Sequence, residues 1–435
     1  MPASASVPSG PELLRIVSAD QAVLPRTDLL DSATLESAQQ IITTVRAQGR
    51  QGLLDCGRRF GDLPPADSGE DSGPLLLGPD VLRQALGRIT PQTRALLERV
   101  AGRIETFARA QRAAVTDLEL PVPGGVAGHT VTPVRRAACY APGGRYPLPS
   151  TVLMTVLAAR AAGVPEVYVL SPRPGDLMLA AAAIAGADGV LPIGGAHAVA
   201  AAAYGVEVPV CDVIAGPGNR FVTAAKKLLV GTIGIDMLAG PSEVLIIADD
   251  TADARTIAAD MLAQAEHDTD ASAVLLSTDA GLIDRVGREL AVQLATLPTR
   301  AVAEAALRRN SFAALCRDTG HAAELAAYIA PEHLEVHTRD AEAVTRRVGT
   351  YGGAFIGASA AEVIGDYGIG PNHTLPTSGT ARFTGGLSVL HFLAVRTFIR
   401  IDDPAAAQGV YADSAALAEL EGLAAHRRSA QLRQN

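Results

Sequence analysis

Short runs of Val, Ile, Leu and Ala alternate with Ala-rich stretches of helical length from the residues before Tyr140 through to residues 353–356. This alternation constrains the fold more than any other feature of the chain. Parallel strands cannot be joined by a tight turn and need a crossover of a dozen or more residues, which a helix supplies. The runs before Tyr140 and at 166–170, near Val190 and at 210–215 read as strands, with helices starting near Ser150, Asp176, His197 and Asn219. The pattern restarts at 242–248 and continues through 273–277, 312–315, 334–337 and 353–356. Two βα sheets in sequence are therefore expected.

At 435 residues the chain exceeds what one hydrophobic core usually supports. The expected fold class is α/β, with two Rossmann-like parallel-sheet domains, a helical N-terminal region and a small C-terminal helical arm. The boundaries read as a mainly helical region over 1–128, a first α/β domain over 129–238, a second over 239–384 and the arm over 385–435. A variable loop is expected at 64–73, which is dense in Pro, Gly, Ser and Asp. After Gly385-Gly386 the chain reads as a short strand over 392–401 and a helical tail over 413–433. That tail is too small to be a domain, so its apolar positions must pack on the chain's own body or on a second subunit.

A net charge of −9 with scattered Lys and Arg argues against a nucleic-acid partner, since no basic surface is concentrated to release counterions. Small molecules fit better. The absence of Trp leaves little stacking platform for bases. Cys56, Cys139, Cys211 and Cys316 are far apart and form no CxxC pair, which suits a reducing cytoplasm. No apolar run reaches the roughly 18 residues of a membrane span, and the opening residues lack a basic and apolar leader, so the expectation is a cytoplasmic protein.

Histidine is scarce, at nine residues, yet four of the nine stand beside carboxylates or an amide at element ends: Gln264 and His267, Glu332 and His333, Asp366 and His373, Glu421 and His426. This is the pattern of a divalent-metal site with an acid/base neighbour. Gln264 and His267, at i, i+3, share a helix face and can converge on one ion. Glu332 and His333 precede a strand, where adjacent side chains point to opposite sides unless the chain turns. An imidazole there is a natural base for a hydroxyl proton, and a carboxylate could activate water. Asp366 and His373 lie in a loop dense in Gly and Pro, where function concentrates. Glu421 and His426, at i, i+5, stand about 140° apart on an ideal helix and share a target only if Gly422 breaks it or the ligand is wrapped.

Two glycine turns end strands where ligands of open α/β sheets bind: Tyr140-Ala141-Pro142-Gly143-Gly144 and Gly216-Pro217-Gly218-Asn219. Asn219 suits a helix N-cap, and Tyr140 could equally be a buried aromatic bonded to a backbone carbonyl. Ser242, after Gly240-Pro241, could bond a ligand or merely serve the turn. The N/O-rich, thiol-free donor set suits Zn²⁺, but also Mn²⁺ or Co²⁺. On chemistry alone a zinc hydrolase and a metal-containing dehydrogenase both remain.

Taken in order, these motifs with Ala239-Gly240-Pro241-Ser242-Glu243, Gln264-Ala265-Glu266-His267, Pro331-Glu332-His333, Gly370-Pro371-Asn372-His373 and Glu421 to His426 resemble the histidinol dehydrogenase family from about Leu29 to the end. The resemblance implies oxidation of L-histidinol to L-histidine in two NAD-dependent steps through an enzyme-held aldehyde, by a zinc-dependent homodimer. It implies Zn²⁺ on Gln264, His267, Asp366 and His426, the last reaching in from the partner subunit. His333 would be the base and Glu332 the residue that activates water. Substrate would be held by Ser150, Ser242, Gln264, His267, His333, Asp366, His373, Glu421 and His426, and NAD would meet Tyr140, Asn219 and the position of His197. At His197 the family usually has glutamine, and the segment 390–396 lacks the Asp and Lys common in biosynthetic members. These departures keep a paralogous dehydrogenase of another small amino alcohol as the alternative, although Glu421 favours a cationic substrate.

Overall fold

The computed structural model describes residues 13–22, 30–65, 73–143 and 147–434. Most of the variable loop expected at 64–73 thus lies outside the described residues, as does Gly144 of the Tyr140 turn.

Strand β1 (Arg15–Ser18) opens the described chain, followed by helices α1 (Ser32–Gln48), α2 (Arg50–Arg59), α3 (Pro79–Arg88) and α4 (Pro91–Ala113). Capping sets their starts. The Asp31 carboxylate accepts the Thr34 N–H at 2.7 Å, and Thr90 caps α4 with Pro91 in its first turn. A hairpin of β2 (Leu118–Val122) and β3 (Gly125–Pro133) leads into the first parallel sheet.

That sheet is built from β4 (Arg136–Tyr140), α5 (Pro149–Ala162), β5 (Glu166–Leu170), α6 (Asp176–Ala185), β6 (Gly189–Leu191), α7 (Gly195–Tyr204), β7 (Val213–Ala215), α8 (Arg220–Leu229) and β8 (Gly234–Ile235). Its strand order is β6-β5-β4-β7-β8, all parallel. The chain winds outward from β4 and then returns to its other side, so the order reverses between β4 and β7. Gly216 follows β7 with φ of +119°, and a Cβ there would come within 2.1 Å of the Tyr140 carbonyl oxygen. Only glycine lets the two strand ends approach so closely.

The second sheet repeats the winding with β9 (Glu243–Ala248), α9 (Ala254–Ala265), β10 (Ser272–Ser277), α10 (Ala280–Leu294), α11 (Arg300–Asn310), β11 (Phe312–Leu315), α12 (Thr319–Ile329), β12 (His333–His337), α13 (Ala341–Val348) and β13 (Gly353–Ile356). The order is β1-β11-β10-β9-β12-β13, again parallel, with the reversal between β9 and β12. Every residue of β9, β10 and β12 is buried, because helices cover both faces. Residues 15–18 differ from the helical reading of 1–128: they pair with β11 because that edge offers unpaired backbone groups.

After β13 come α14 (Glu362–Asp366) and β14 (Leu393–Ile401), which is not an extra strand of either parallel sheet. It pairs antiparallel with β3 from Leu393↔Pro133 to Ile401↔Gly125. The tail expected as one helix is two, α15 (Gln408–Leu420) and α16 (Ala424–Gln431), divided at Gly422, whose φ is +73°. No helix among the described residues is long and apolar enough to cross a membrane.

One buried charge pair organises the end of the first sheet. Lys226 Nζ on α8 bonds the Asp236 carboxylate and donates to the Gly216 carbonyl at 2.8 Å, while Asp236 accepts the Gly216 N–H at 2.7 Å. Both side chains are buried, so removing one strands a charge. Lys226→Ala is expected to cost about 3–5 kcal/mol of stability in urea unfolding. A loss below about 1 kcal/mol would show that water replaces the ammonium there.

Candidate active site

On the first sheet, the groups singled out from sequence stand at the carboxyl ends of the strands, beside the reversal between β4 and β7, where open α/β sheets bind ligands. Tyr140 is buried, and its hydroxyl accepts the Gly195 N–H at 3.0 Å rather than meeting a carbonyl. Burial pushes its pKa up to about 12, so it stays a phenol. Asn219 caps α8, its side-chain oxygen accepting the N–H groups of Phe221 and Val222 at 3.0 and 3.2 Å. Its amide nitrogen donates no hydrogen bond among the described residues.

His197 sits in the first turn of α7, where its Nε2 bonds Asp62 at 3.0 Å and Phe60 stacks on its ring at 5.4 Å between centroids. The same Asp62 oxygen accepts the Gly194 N–H at 2.9 Å. With Nε2 turned to the carboxylate, Nδ1 is buried without a hydrogen-bond partner among the described residues. Asp62 and Phe60 lie over a hundred residues upstream, so no local spacing pointed to them.

The second sheet builds a different kind of site, at the amino-terminal ends of β9 and β12. Glu243 opens β9, one residue before Val244, the register partner of His333 on β12. Its N–H donates to Glu332 Oε2 at 2.9 Å, and its carbonyl meets His333 Nδ1 at 3.1 Å. The sequence difficulty over Glu332 and His333 dissolves because Glu332 precedes the strand: its carboxylate turns back to within 3.7 Å of His333 Nδ1. A carbonyl can only accept, so Nδ1 carries the proton and Nε2 presents a lone pair. That Nε2 is buried and without a partner among the described residues. Burial lowers the His333 pKa to about 3 and that of His373 to about 4, keeping both imidazoles neutral.

Around this pair lie Gln264 and His267 at the end of α9, and Glu362 and Asp366 on α14. His267 stands 4.0 Å from Glu362, 3.8 Å from Asp366 and 3.4 Å from the Gln264 amide. His373 is 3.8 Å from Asp366, and His333 is 3.9 Å from Glu362. The Gln264 amide is satisfied when its nitrogen donates to both Glu362 oxygens at 2.9 Å, which turns its oxygen toward His267. His267 keeps 45% side-chain exposure and forms the open side of the cluster. Burial raises the pKa of Asp366 to about 7 and of Glu243 to about 7, and holds Glu332 and Glu362 well above the carboxylate range.

His267, Glu362 and Asp366 present ligand atoms within 4.8 Å of one another. With the Gln264 oxygen facing the same space, this is an N/O donor set that suits a divalent ion such as Zn²⁺. Glu362 was not singled out from sequence. Its signal was there: Glu362 and Asp366 are spaced i, i+4, which puts both on one helix face.

The loop carrying Asp366 and His373 is tied to the first sheet's helices. Asn372 donates to the Met154 carbonyl on α5 at 2.8 Å, and Arg103 on α4 donates to the Gly368 carbonyl at 2.8 Å. Ser150 and Ser242 are half-buried, the first in the opening turn of α5 and the second just before β9. Glu421 and His426 are exposed and are not part of the cluster. Because Gly422 breaks the helix, both line one cleft of about 390 Å³ between α15 and α16, with Tyr411, Ser414 and Arg433. That cleft is open to solvent and holds none of the buried carboxylates.

Residues 24–434 match the family model described as histidinol dehydrogenase. The histidinol dehydrogenase of Ralstonia nicotianae is 42% identical over 411 residues, covering 93% of this chain and 92% of that protein. That of Pseudomonas savastanoi pv. phaseolicola is 41% identical, with 93% and 90% covered. The crystal structure of histidinol dehydrogenase from Elizabethkingia anophelis superposes with a TM-score of 0.88 at 27% identity, covering 97% of this chain and 98% of that one.

The raised carboxylates have a consequence for stability. In the unfolded chain Asp366 and Glu243 lose their protons near 3.8 and 4.5, whereas in the folded protein they hold them to about 7. The folded state therefore binds more protons across that window, and these groups make the metal-free protein less stable as pH rises from about 4 to about 7. A divalent cation competes with those protons. The gain in urea midpoint on adding Zn²⁺ to chelator-treated protein is expected to be larger at pH 8 than at pH 5, and an equal or absent gain would speak against ion binding by this cluster.

Proposed function

Because the chain belongs to the histidinol dehydrogenase family, we propose that this oxidoreductase carries L-histidinol through two successive NAD-linked oxidations to L-histidine, in a zinc-dependent homodimer. The observation that carries the reading is His333: a neutral imidazole with Nδ1 pinned to a backbone carbonyl and Nε2 bare in a buried site.

In this reading the first sheet is the dinucleotide side and the second the metal and proton-transfer side. Tyr140, Asn219 and the Asp62-braced His197 would receive the dinucleotide, whose nicotinamide accepts the hydride. Gln264, His267 and Asp366 would hold zinc, with Glu362 fixing the amide of Gln264. A zinc ion there would act as a Lewis acid that orients the substrate's amine and imidazole. His426 and Glu421 would enter from the partner subunit, which accounts for their exposure on an arm whose two helices pack mainly on each other. Ser150, Ser242 and His373 would complete the substrate pocket.

His333 Nε2 takes the proton of the substrate hydroxyl as hydride leaves the carbon. Its depressed basicity suits a neutral resting state, and Glu332 and Glu362, 3.7 and 3.9 Å from Nδ1, are the acidic groups that can give up a proton to balance the imidazolium once it forms. For the second oxidation water must add to the aldehyde. Glu332, buried beside His333 and held by the Glu243 N–H, would orient that water and, in its ionised form, take its proton. The two oxidations together release two NADH and three protons per histidinol.

His333→Asn is expected to keep the bound metal while lowering turnover by about 10²–10⁴-fold, the range of general base catalysis; unchanged turnover would remove His333 from the mechanism. Absorbance at 340 nm should count two NADH per histidinol consumed. A count of one would limit the enzyme to alcohol oxidation. His267→Ala chains mixed with His426→Ala chains should regain activity as mixed dimers, and verified mixed dimers without activity would overturn the shared site.

A further inference from the structure

A second set of metal-ligating side chains lies behind this site, and the chemistry above makes no use of it. Asp260 on α9 faces Glu335 and His337, which stand two residues apart on β12 and so share one face of the sheet. One ligand atom from each of the three lies within 4.8 Å of the others, and His337 Nε2 is 3.5 Å from Glu335 Oε2. Glu335 is wholly buried and His337 is 3% exposed.

What marks this as more than an acidic cluster is a buried imidazole neither of whose nitrogens makes a hydrogen bond among the described residues, with only the Glu335 carboxylate at ion-pair distance from Nε2. Asp260 Oδ2, Glu335 Oε2 and both ring nitrogens of His337 are buried without a hydrogen bond among the described residues. An imidazole with neither nitrogen hydrogen-bonded carries a desolvation penalty that nothing offsets, and native interiors rarely leave several such groups together. The charge balance points the same way. Glu243, Asp260, Glu332, Glu335, Glu362 and Asp366 crowd one region, and their ion pairs among the described residues are with histidine rather than Lys or Arg. One divalent ion at Gln264, His267 and Asp366 leaves the Asp260 side uncompensated, and buried carboxylates need a cation or a proton.

We propose that Asp260, Glu335 and His337 bind a second divalent transition-metal cation, distinct from the ion held by Gln264, His267 and Asp366. Two carboxylates and one imidazole form an N/O set that fits Zn²⁺, Mn²⁺ or Co²⁺. Ligand atoms about 2.0–2.2 Å from such an ion stand roughly 3–4 Å apart, a range that the 3.5 Å between His337 Nε2 and Glu335 Oε2 already meets. The partial exposure of Asp260 provides the entry side. The two sites communicate through Glu335, whose Oε1 accepts the Glu362 N–H at 2.7 Å while Oε2 faces His337. The second ion would therefore fix the start of α14, and through it Glu362 and Asp366, making it a positioning element for the first.

The test is metal stoichiometry on the full-length protein, stripped with chelator, reloaded with Co²⁺ or Zn²⁺, dialysed and counted by mass spectrometry. The expected count is two ions per chain in the wild type, one in His337→Ala and one in His267→Ala. Asp260→Asn, which keeps the Glu335 to Glu362 contact and nearly the same volume, should also bind one. A wild-type count of one, lost in His267→Ala, would overturn the second site and show that protons satisfy the Asp260 cluster. A count of two retained by both His337→Ala and Asp260→Asn would overturn this choice of ligands. A second-site loss with the count in His267→Ala unchanged from wild type would instead count against the first site, so the two readings fail separately.

Discussion

Glu243 is the residue on which the centre of the site depends. Its backbone N–H is taken by Glu332 and its carbonyl by His333, at the amino-terminal edge where β9 meets β12. Its own carboxylate accepts the Ser378 N–H from the segment that follows the His373 loop. One residue thus sets the direction of a carboxylate, the tautomer of an imidazole and the position of a loop. A hydrogen bond from Nδ1 to a carbonyl is a modest interaction, yet it decides which nitrogen is free to take a proton.

The two parallel sheets repeat one winding, with the strand order reversing on either side of β4 and of β9. They use opposite edges. The first gathers Tyr140, Gly195, Gly216 and Asn219 beyond the carboxyl ends of its strands, where open α/β sheets bind ligands. The second gathers Glu243, Glu332 and His333 at its amino-terminal ends, together with the last turn of α9. Asn372 and Arg103 lash the intervening loop to the first sheet's helices, so the two edges are held against each other.

Much of the architecture was legible because burial on both faces forces strands into continuous apolar runs, and the runs at 166–170, 242–248 and 273–277 fall on β5, β9 and β10. The antiparallel pairing of β14 with β3 was not legible. Nothing local in 393–401 says that its partner lies more than two hundred residues upstream. Gln264, His267, Glu332, His333, Asp366 and His373 announced themselves as polar residues that no fold needs, and the chain brings them together. Glu362 was overlooked although its spacing to Asp366 was a helical one, and Glu335 and His337 were read as strand because they alternate within one.

The sequence by itself determined the classes of element and the inventory of donors, since periodicity and residue chemistry are local properties. Tertiary structure alone decided which donors share a space and in what electrical state. Burial of carboxylates beside imidazoles, rather than any feature of the residues themselves, raises Asp366 and lowers His333. Glu421 and His426 show the same division from the other side. Their residue types suit a binding site, but Gly422 and the arm's own packing turn them to solvent, because the dihedral of one glycine sets the direction of everything after it.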